Sequence, residues 1–443
     1  MLRRARRRQK LKRGTPWGLP IAFINTLEKA IKKVVKKGKF RLIRNRVYTI
    51  GGLLSLLVTS AAQSLSLKSE IARYGKNAEG KPYTKQNLEY RLDTFDKNAM
   101  WALFKHTINS FLKSKANKNA LRKEIREKYT DIVSIDGTTL DQVRHTPRVK
   151  KEKEERSENC RSYKLTSGGH VLVMISLSNQ MVVKASYHAD ALVNETNFTK
   201  ELLRWIRRDT LVVMDRGFYS FKLFEGIIKK RAHFIIPLRK RTRITVIKVL
   251  KETKYYRDSL VEVGVKPKMR YLLRMIEYTG FPRAKDEEST RVLLVSEIDP
   301  EKLPPEEAIR CYNQRWSIEK CFNQIKQPLS LCHLWSSKPD HIEIQVLATL
   351  IAYLIYNRLR VMIANKYGVC VDDVSLVAIQ QALKALSMQA GYRNITTWLS
   401  VIKAIQNHYG HSLSLLVEHS KAVLILRERK ESYFQALSPP QAA

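Results

Sequence analysis

One stretch of the chain, CYNQRWSIEKCFNQIKQ, places four reactive side chains on one face of a predicted helix. Tyr312, Arg315, Glu319 and Lys326 lie at offsets of 0, 3, 7 and 14 residues. At about 100° per residue, all four fall within a stripe roughly 60° wide. A carboxylate beside a phenol, a guanidinium and an amine suits chemistry on a phosphate group. The alternative is an exposed amphipathic helix with an ordinary Arg315–Glu319 pair.

Two aspartates follow apolar runs that read as strands. Asp136 closes the β-branched run in DIVSIDGTTL, and Asp215 closes the run LVVM. Each has an ordinary alternative, since an Asp-Gly step is a common turn and an Asp before a helix is a common N-cap. Ligand sites in α/β sheets lie at the carboxyl ends of strands, so we expect these two side chains to converge.

Three carboxylates beside basic groups indicate metal-assisted phosphodiester chemistry. Asp136, Asp215 and Glu319 offer the hard oxygen ligands that Mg²⁺ or Mn²⁺ prefers. Two such ions about 3.5–4 Å apart can activate a water or a 3′-hydroxyl and stabilise the leaving oxygen. Without metal ions, acids gathered where a polyanion binds would repel it.

Charge indicates which substrate would bind there. The 443 residues include 81 Lys plus Arg against 41 Asp plus Glu, a net charge of +40. The first 50 residues alone hold 17 Lys or Arg and one acid, Glu28. This excess favours nucleic acid as the partner, with an anionic membrane surface as the second choice, and argues against a small neutral metabolite.

Within this basic segment, residues 1–13 read as a flexible arm and the following residues as a helix. Phe23, Leu27, Ile31 and Val34 recur at helical spacing. The other face carries five lysines, at positions 29, 32, 33, 36 and 37. That face is interpreted either as a solvated surface or as a set of phosphate contacts.

The remaining patterns predict an α/β fold in a reducing compartment. HVLVMISLS and QMVVKASYH look like a hairpin, and strand–helix–strand units follow, which indicates a mixed sheet. The five cysteines are odd in number and contain no C-x-x-C pair, so neither disulfides nor a zinc ribbon is expected. The apolar stretch Ile344–Tyr356 is too short to span a bilayer and predicts a buried helix. No signal-peptide core follows the basic N-terminus, which favours a cytoplasmic protein.

The four spaced residues resemble the Y-x2-R-x3-E-x6-K signature of one branch of the DDE transposases of prokaryotic insertion sequences. All four signature positions match. Asp136 in SIDGTT and Asp215 in VVMDRGFYS match the two aspartate motifs of the family, the second close to its D-R-G-Y pattern. The 104-residue spacing from Asp215 to Glu319 is typical of this branch. The resemblance covers roughly residues 131–365.

The resemblance implies a ribonuclease-H-like fold with Asp136, Asp215 and Glu319 as the catalytic triad that binds two Mg²⁺ or Mn²⁺ ions. It also implies DNA contacts by Tyr312, Arg315 and Lys326, with Arg239 as a further candidate. Trp316, beside Arg315, is interpreted either as a residue that stacks on DNA or as a core aromatic. The family cuts DNA at terminal inverted repeats and joins the freed 3′ ends to target DNA. Its members hold two ends together, so a homodimer on DNA is expected, in the nucleoid of the cytoplasm.

This branch commonly forms a DNA hairpin intermediate, and relatives stack a flipped base on a tryptophan of the inserted β region. No Trp lies between Arg239 and Pro300. A tyrosine of this region would have to serve instead, and the choices are Tyr255, Tyr256, Tyr271 and Tyr278.

The chain is therefore divided into five predicted segments. They are a basic helical DNA-binding region (1–130), the first part of the catalytic core (131–238), a β-rich insertion (239–300), the second part of the core (301–365) and a helical C-terminal region for dimerisation or DNA contact (366–443). Two other functions remain open. One is a ribonuclease-H-like nuclease or domesticated transposase, and the other is a non-catalytic DNA-binding protein with structural carboxylates.

Overall fold

The structure, a computed structural model, describes most of the chain. The described residues are 19, 21–38, 40, 50–64, 84–112, 123–140, 143–144, 166–178, 180–191, 193–264, 270–279, 290–369, 371–388, 397–409 and 432–437. The predicted basic arm lies outside these residues, as does most of the charged loop between residues 141 and 167. The predicted segment boundaries stay predictions.

A nine-stranded mixed sheet forms the centre of the fold. The strands are β1 (Asp131–Thr139), β2 (Val143–Arg144), β3 (Thr166–Ser167), β4 (His170–Ser176), β5 (Met181–His188), β6 (Thr210–Met214), β7 (His233–Pro237), β8 (Ile244–Glu252), β9 (Tyr256–Gly264), β10 (Arg270–Thr279) and β11 (Thr290–Val295). β2 and β3 pair only with each other. The large sheet has the order β5-β4-β1-β6-β7-β11-β10-β9-β8. Strands β1, β6 and β7 run parallel and the other neighbours antiparallel, which confirms the predicted α/β class.

Helices cover both faces of this sheet. They are α1 (Ile21–Lys37), α2 (Ile50–Ala62), α3 (Lys85–Asp93), α4 (Asn98–Leu112), α5 (Lys123–Glu127), α6 (Thr199–Trp205), α7 (Phe221–Lys229), α8 (Pro305–Gln314), α9 (Trp316–Lys326), α10 (Pro339–Tyr367), α11 (Leu376–Met388) and α12 (Trp398–Tyr409). Side chains of α6 and α7 share one core with β1, β4 and β6. Helices α8, α9 and α10 pack on the opposite face. Strand β4 is consequently buried at every position, which explains its continuous apolar sequence.

The N-terminal helices pack around α10. The four apolar residues predicted on one face of α1 are all buried, and the five lysines of its other face are exposed. Phe23 of α1 lies against Tyr356 of α10, with 5.6 Å between the ring centroids. The predicted amphipathic helix is thus confirmed.

Helix α10 is longer than the apolar stretch that predicted it. Its 29 residues are long and apolar enough to cross a membrane, the one such helix in the part of the chain described here. However, 89% of its most apolar 18-residue window is buried inside the protein. This burial agrees with the predicted core helix.

The strands of the predicted β-rich insertion extend the main sheet instead of forming a sheet of their own. Strand β11 pairs antiparallel with β7 and carries β10, β9 and β8 outward to the sheet edge. Strands β8, β10 and β11 correspond to the runs ITVIKVL, YLLRMIEY and RVLLVSEI, whose sequences predict strands. Strand β9, YRDSLVEVG, was not predicted, because its charged residues resemble those of a loop.

Candidate active site

The register of the sheet brings Asp136 and Asp215 together. Strands β1 and β6 are parallel, and Ile135 pairs with Met214 at the last position of their ladder. The next residue on each strand is an aspartate, so the two carboxylates leave neighbouring strands at the same level. The predicted convergence of these two residues is what the structure shows.

Neither aspartate has the ordinary role that its sequence context suggested. Asp136 does not end its strand, because β1 continues to Thr139 and Asp136 pairs with Val173 of β4. The Asp136–Gly137 step is therefore not a turn. Asp215 begins a short 3₁₀ turn, but its side chain makes no capping hydrogen bond. The turn and the helix cap that the sequence context suggested therefore do not account for these two carboxylates.

The third acid comes from a pair of helices that meet at Arg315. The sequence predicted one straight helix, but the structure has α8 and α9 separated by a single turn residue. The Arg315 N–H donates to the Tyr312 carbonyl at 3.1 Å, and the Ile318 N–H donates to the Arg315 carbonyl at 3.0 Å. These i to i−3 bonds tighten the backbone locally, while Arg315 keeps helical dihedrals. The predicted stripe survives this change.

Arg315 contacts one carboxylate from the sheet, Asp136, and one from helix α9, Glu319. Its Nη2 lies 2.8 Å from Oε1 of Glu319 and its Nη1 lies 3.6 Å from Oδ2 of Asp136. Its guanidinium carbon is 5.8 Å from the ring centroid of Tyr312. Arg315 is only 8% exposed, so this cation is held in place by the acids around it. The exposed amphipathic helix is thus excluded for this stripe.

Burial shifts the protonation of Asp136. Desolvation raises the pKa of its carboxyl to about 6, and the negative charges of Asp215 and Glu319 add to the increase. A hydrogen bond from the Gly137 N–H, at 2.8 Å, and the charge of Arg315 act in the opposite direction. The negative charge of the three carboxylates is thus greater than the single guanidinium of Arg315 can neutralise.

A fourth acid, Glu195, was missed by sequence reasoning. It begins a 3₁₀ turn, Glu195–Phe198, that leads into α6. Burial raises the pKa of its carboxyl to about 7, followed by the charges of Asp136 and Asp215. The sequence carries little signal for it, because Glu195 follows no apolar run and belongs to no spaced motif. The adjacent Asn194, which caps this turn, was the available hint.

The carboxylates are ligands of the kind that divalent metal ions bind, although they do not form a complete coordination site. In the described part of the chain, no group of three His, Cys, Asp or Glu side chains is arranged to hold a metal ion. The acids instead share the Arg315 cation. A set of carboxylate oxygen ligands suits Mg²⁺ or Mn²⁺ better than a softer metal.

The other three residues predicted to contact DNA differ in how exposed they are. Lys326 donates from Nζ to the Thr139 carbonyl at the end of β1, at 2.8 Å. Trp316 is 43% exposed, so the alternative of a core aromatic does not hold. Arg239 is exposed just after β7. The roles of all three in DNA binding stay predictions.

Metal-free protein should lose stability as the pH rises from about 4 to about 7. The carboxyls of Asp136 and Glu195 keep their protons in the folded state at pH values where the unfolded chain has lost them, since free Asp and Glu titrate near 3.9 and 4.3. Fewer protons on the unfolded state make stability fall with rising pH. Thermal unfolding in EDTA from pH 4.5 to 8 measures this. In Asp136→Asn the melting temperature should fall less steeply with rising pH than in the wild type. Identical pH profiles for the two proteins would contradict this expectation.

Comparison with known proteins agrees with this geometry. The family described as "Transposase DDE domain" matches residues 128–355, just over half of the chain. The transposase InsG of insertion sequence element IS4 from Escherichia coli (strain K12) is 28% identical over 175 residues. That alignment covers 36% of this chain and 37% of the relative, so the match spans little more than a third of the relative's length.

Among solved structures, the chain resembles a piggyBac transposase in a synaptic complex with hairpin DNA. The alignment covers 98% of this chain and 86% of the other at 12% identity, with a TM-score of 0.37, which is too low to establish a common fold. The family match stands independently of that structure. It covers both aspartates, the Arg315 turn and Glu319, and the chain belongs to the family of transposases with a DDE domain.

Proposed function

We propose that this protein cuts DNA at the terminal inverted repeats of an insertion sequence and joins the freed 3′ ends to target DNA. The observation that carries the proposal is that Asp136, within β1, and Asp215, directly after β6, leave neighbouring parallel strands at the same level, where Arg315 contacts both Asp136 and Glu319. A structural role for all three acids would not require their mutual proximity.

In this proposal the three acids hold two divalent ions, as the family generally uses such ions. Ions bound there would activate the attacking water or 3′-hydroxyl and stabilise the leaving oxygen. Asp136 and Asp215 lie on rigid strands and fix the position of the reacting phosphate. Glu319 completes the set from α9, which packs against β1 and β4.

The basic and phenolic side chains of the stripe orient the DNA. Tyr312 and Arg315 lie beside the acids, and Lys326 lies at the end of β1. Arginine binds phosphate oxygens in a planar, two-pronged geometry, so release of Arg315 from Asp136 would let it hold the DNA backbone. We further propose that strands β5, β4, β1, β6 and β7 form the ribonuclease-H-like core and that two copies act together on paired DNA ends.

If a hairpin forms, burial narrows the choice of the stacking residue. Tyr256 and Tyr278 are buried, at 3% and 2% exposure. Tyr271 already stacks on Phe221, with 5.7 Å between ring centroids and an 8° interplanar angle. Tyr255, 38% exposed at the β8–β9 turn, is the one of the four that can receive a flipped base.

The direct test uses DNA that carries the sequences flanking the gene. Purified protein with Mg²⁺ should produce cuts at the element ends and joined products with a second DNA, and EDTA should abolish both. Cleavage without any joined product would support the nuclease alternative. DNA binding with neither cut nor joined products would support the alternative of a non-catalytic DNA-binding protein.

The lysine face of α1 should contribute to DNA affinity through phosphate contacts. Replacing Lys29, Lys33 and Lys36 by Gln should reduce the steepness of the plot of log affinity against log salt by up to about 2.7, because each phosphate contact contributes about 0.9. Fluorescence anisotropy between 50 and 200 mM KCl measures it.

The matched control replaces three lysines that carboxylates already neutralise. Lys97 pairs with Asp340 and Glu343, Lys229 with Glu225, and Lys338 with Asp93. Their replacement by Gln should leave the slope unchanged. Equal slopes for the two triple variants would show that the α1 face is a solvated surface.

A further inference from the structure

Glu195 lies against two glycines, one shortly after each aspartate in the sequence. The residue after Asp136 is Gly137, and the second residue after Asp215 is Gly217. A methyl group at Gly217 would overlap Oε2 of Glu195, and one at Gly137 would lie 3.4 Å from Oε1. The two glycines thus form a cradle beside the aspartates that the Glu195 carboxylate fills.

This carboxylate makes no hydrogen bond or ion pair with any residue that the structure describes. Most other half-buried acids of the fold have a partner, as Glu201 does with His188, at 3.0 Å between Oε2 and Nε2. Burial raises the pKa of Glu195 first, and the like charges of Asp136 and Asp215 add to the increase. A partly buried acid without a cation costs stability, and such costs are expected at functional sites.

A second group at this place also lacks a partner. His170 is 5% exposed, and neither ring nitrogen has a hydrogen-bond partner within the described residues. Its ring stacks on Phe198, and its Nε2 is the atom nearest to a side chain at Gly137. Burial lowers the pKa of His170, and the charges of His188 and Lys326 lower it further, so the imidazole is neutral. A buried polar group without a hydrogen bond costs stability, and a ligand beside Gly137 would offset that cost.

We propose that Glu195 is a fourth acid of the active centre, which binds divalent cation together with Asp136 and Asp215. This inference rests on the proposed two-metal function and adds a residue to it. Glu195 approaches from the helix-α6 side of the sheet, while Glu319 and Arg315 approach from the α9 side. Two aspartates flanked by one glutamate from each side offer more oxygen ligands for two ions than three acids of which two pair with Arg315.

The test is Mn²⁺ binding to the full-length protein, followed by electron paramagnetic resonance without DNA. Glu195→Gln should weaken binding by roughly 10-fold or more, because even the loss of a residue that only supports a metal ligand typically costs about 10- to 100-fold in affinity. Gly217→Ala should weaken it in the same direction, because its methyl displaces the carboxylate of Glu195 without removing it. Glu225→Gln removes one exposed negative charge that is paired with Lys229, and it should have no effect.

A stability measurement separates metal binding from a structural role. Without metal, Glu195→Gln should melt at the same temperature as the wild type or higher, because it removes like-charge repulsion, and saturating Mn²⁺ should raise its melting temperature less. A lower melting temperature with unchanged Mn²⁺ affinity would make Glu195 structural and overturn the inference.

Asp136→Asn distinguishes this inference from the function on which it rests. If Asp136→Asn weakens Mn²⁺ binding and Glu195→Gln stays within twofold of the wild type, the metal site stands and Glu195 is not part of it. If neither substitution changes binding, or if the wild type binds no Mn²⁺, the two-metal function fails as well.

Discussion

Asp136→Asn should reduce the rate of DNA cleavage by about 10³-fold or more, and Asp215→Asn and Glu319→Gln should do the same. Charge stabilisation by a bound metal contributes several kcal/mol to such a reaction, and each 1.36 kcal/mol is a factor of ten in rate. Gel assays with end-labelled DNA under single-turnover conditions measure the loss. Affinity for the same DNA should remain within a fewfold of the wild type, because the basic groups that contact phosphate are intact.

Asp131→Asn is the matched control for these substitutions. Asp131 begins the same strand, and burial raises the pKa of its carboxyl as well. However, its Oδ1 accepts hydrogen bonds from the Ser176 hydroxyl, at 2.7 Å, and from the Ile132 N–H, at 2.8 Å. That replacement should lower stability while the folded fraction keeps its cleavage rate. Cleavage retained in all three triad variants, or lost equally in Asp131→Asn, would show that the acids are structural.

The sequence predicted that the three acids converge because each acid stands next to a pattern with a physical meaning. Asp136 and Asp215 follow apolar runs, and burial on both faces of the sheet is what makes β1 and β6 apolar. Glu319 belongs to a stripe at helical spacing. The prediction survived the break at Arg315 because that residue keeps helical dihedrals.

Where the sequence failed, polar residues are buried by partners distant in the chain. Strand β9 contains Asp258, which resembles a loop residue but is fully buried because Arg274 of β10 neutralises it. Glu195 is recognisable only once the sheet places Gly137 and Gly217 beside it. Sequence periodicity reports burial by apolar packing, and it carries no information about a buried ion pair or a cradle formed by distant glycines.

The buried pair in β9 and β10 also positions the active site, so its loss should be severe. Replacing Arg274 by Met should lower the free energy of unfolding by about 3–5 kcal/mol, because it leaves the Asp258 charge buried and uncompensated. Arg274 also donates from Nη1 to the Leu303 carbonyl, at 2.8 Å, and to the Glu297 carbonyl, at 3.3 Å. Those carbonyls belong to the segment that leads into α8. Denaturant unfolding measures the change.

A second contact ties the same strands to the start of α8. The Tyr256 hydroxyl donates to Oε1 of Glu306 at 2.6 Å, and Lys251 lies 3.6 Å from the same oxygen. Because α8 and α9 carry Tyr312, Arg315 and Glu319, the β-rich strands hold the third acid in register with the two aspartates. Arg274→Met should therefore lower cleavage by the folded protein as well, whereas a purely stabilising pair would affect only the folded fraction.

Arg270→Met provides the control on the same two strands. Arg270 pairs with Glu262 at 2.9 Å, but the side chains are 56% and 33% exposed, so that pair contributes less than about 1 kcal/mol. Combining Arg274→Met with Asp258→Leu should recover part of the loss, because no charge is left unpaired while the Leu303 carbonyl still lacks its donor. If Arg274→Met costs no more than Arg270→Met, the buried pair does not fix the segment before α8. The position of Glu319 relative to the two aspartates would then depend only on how α9 packs.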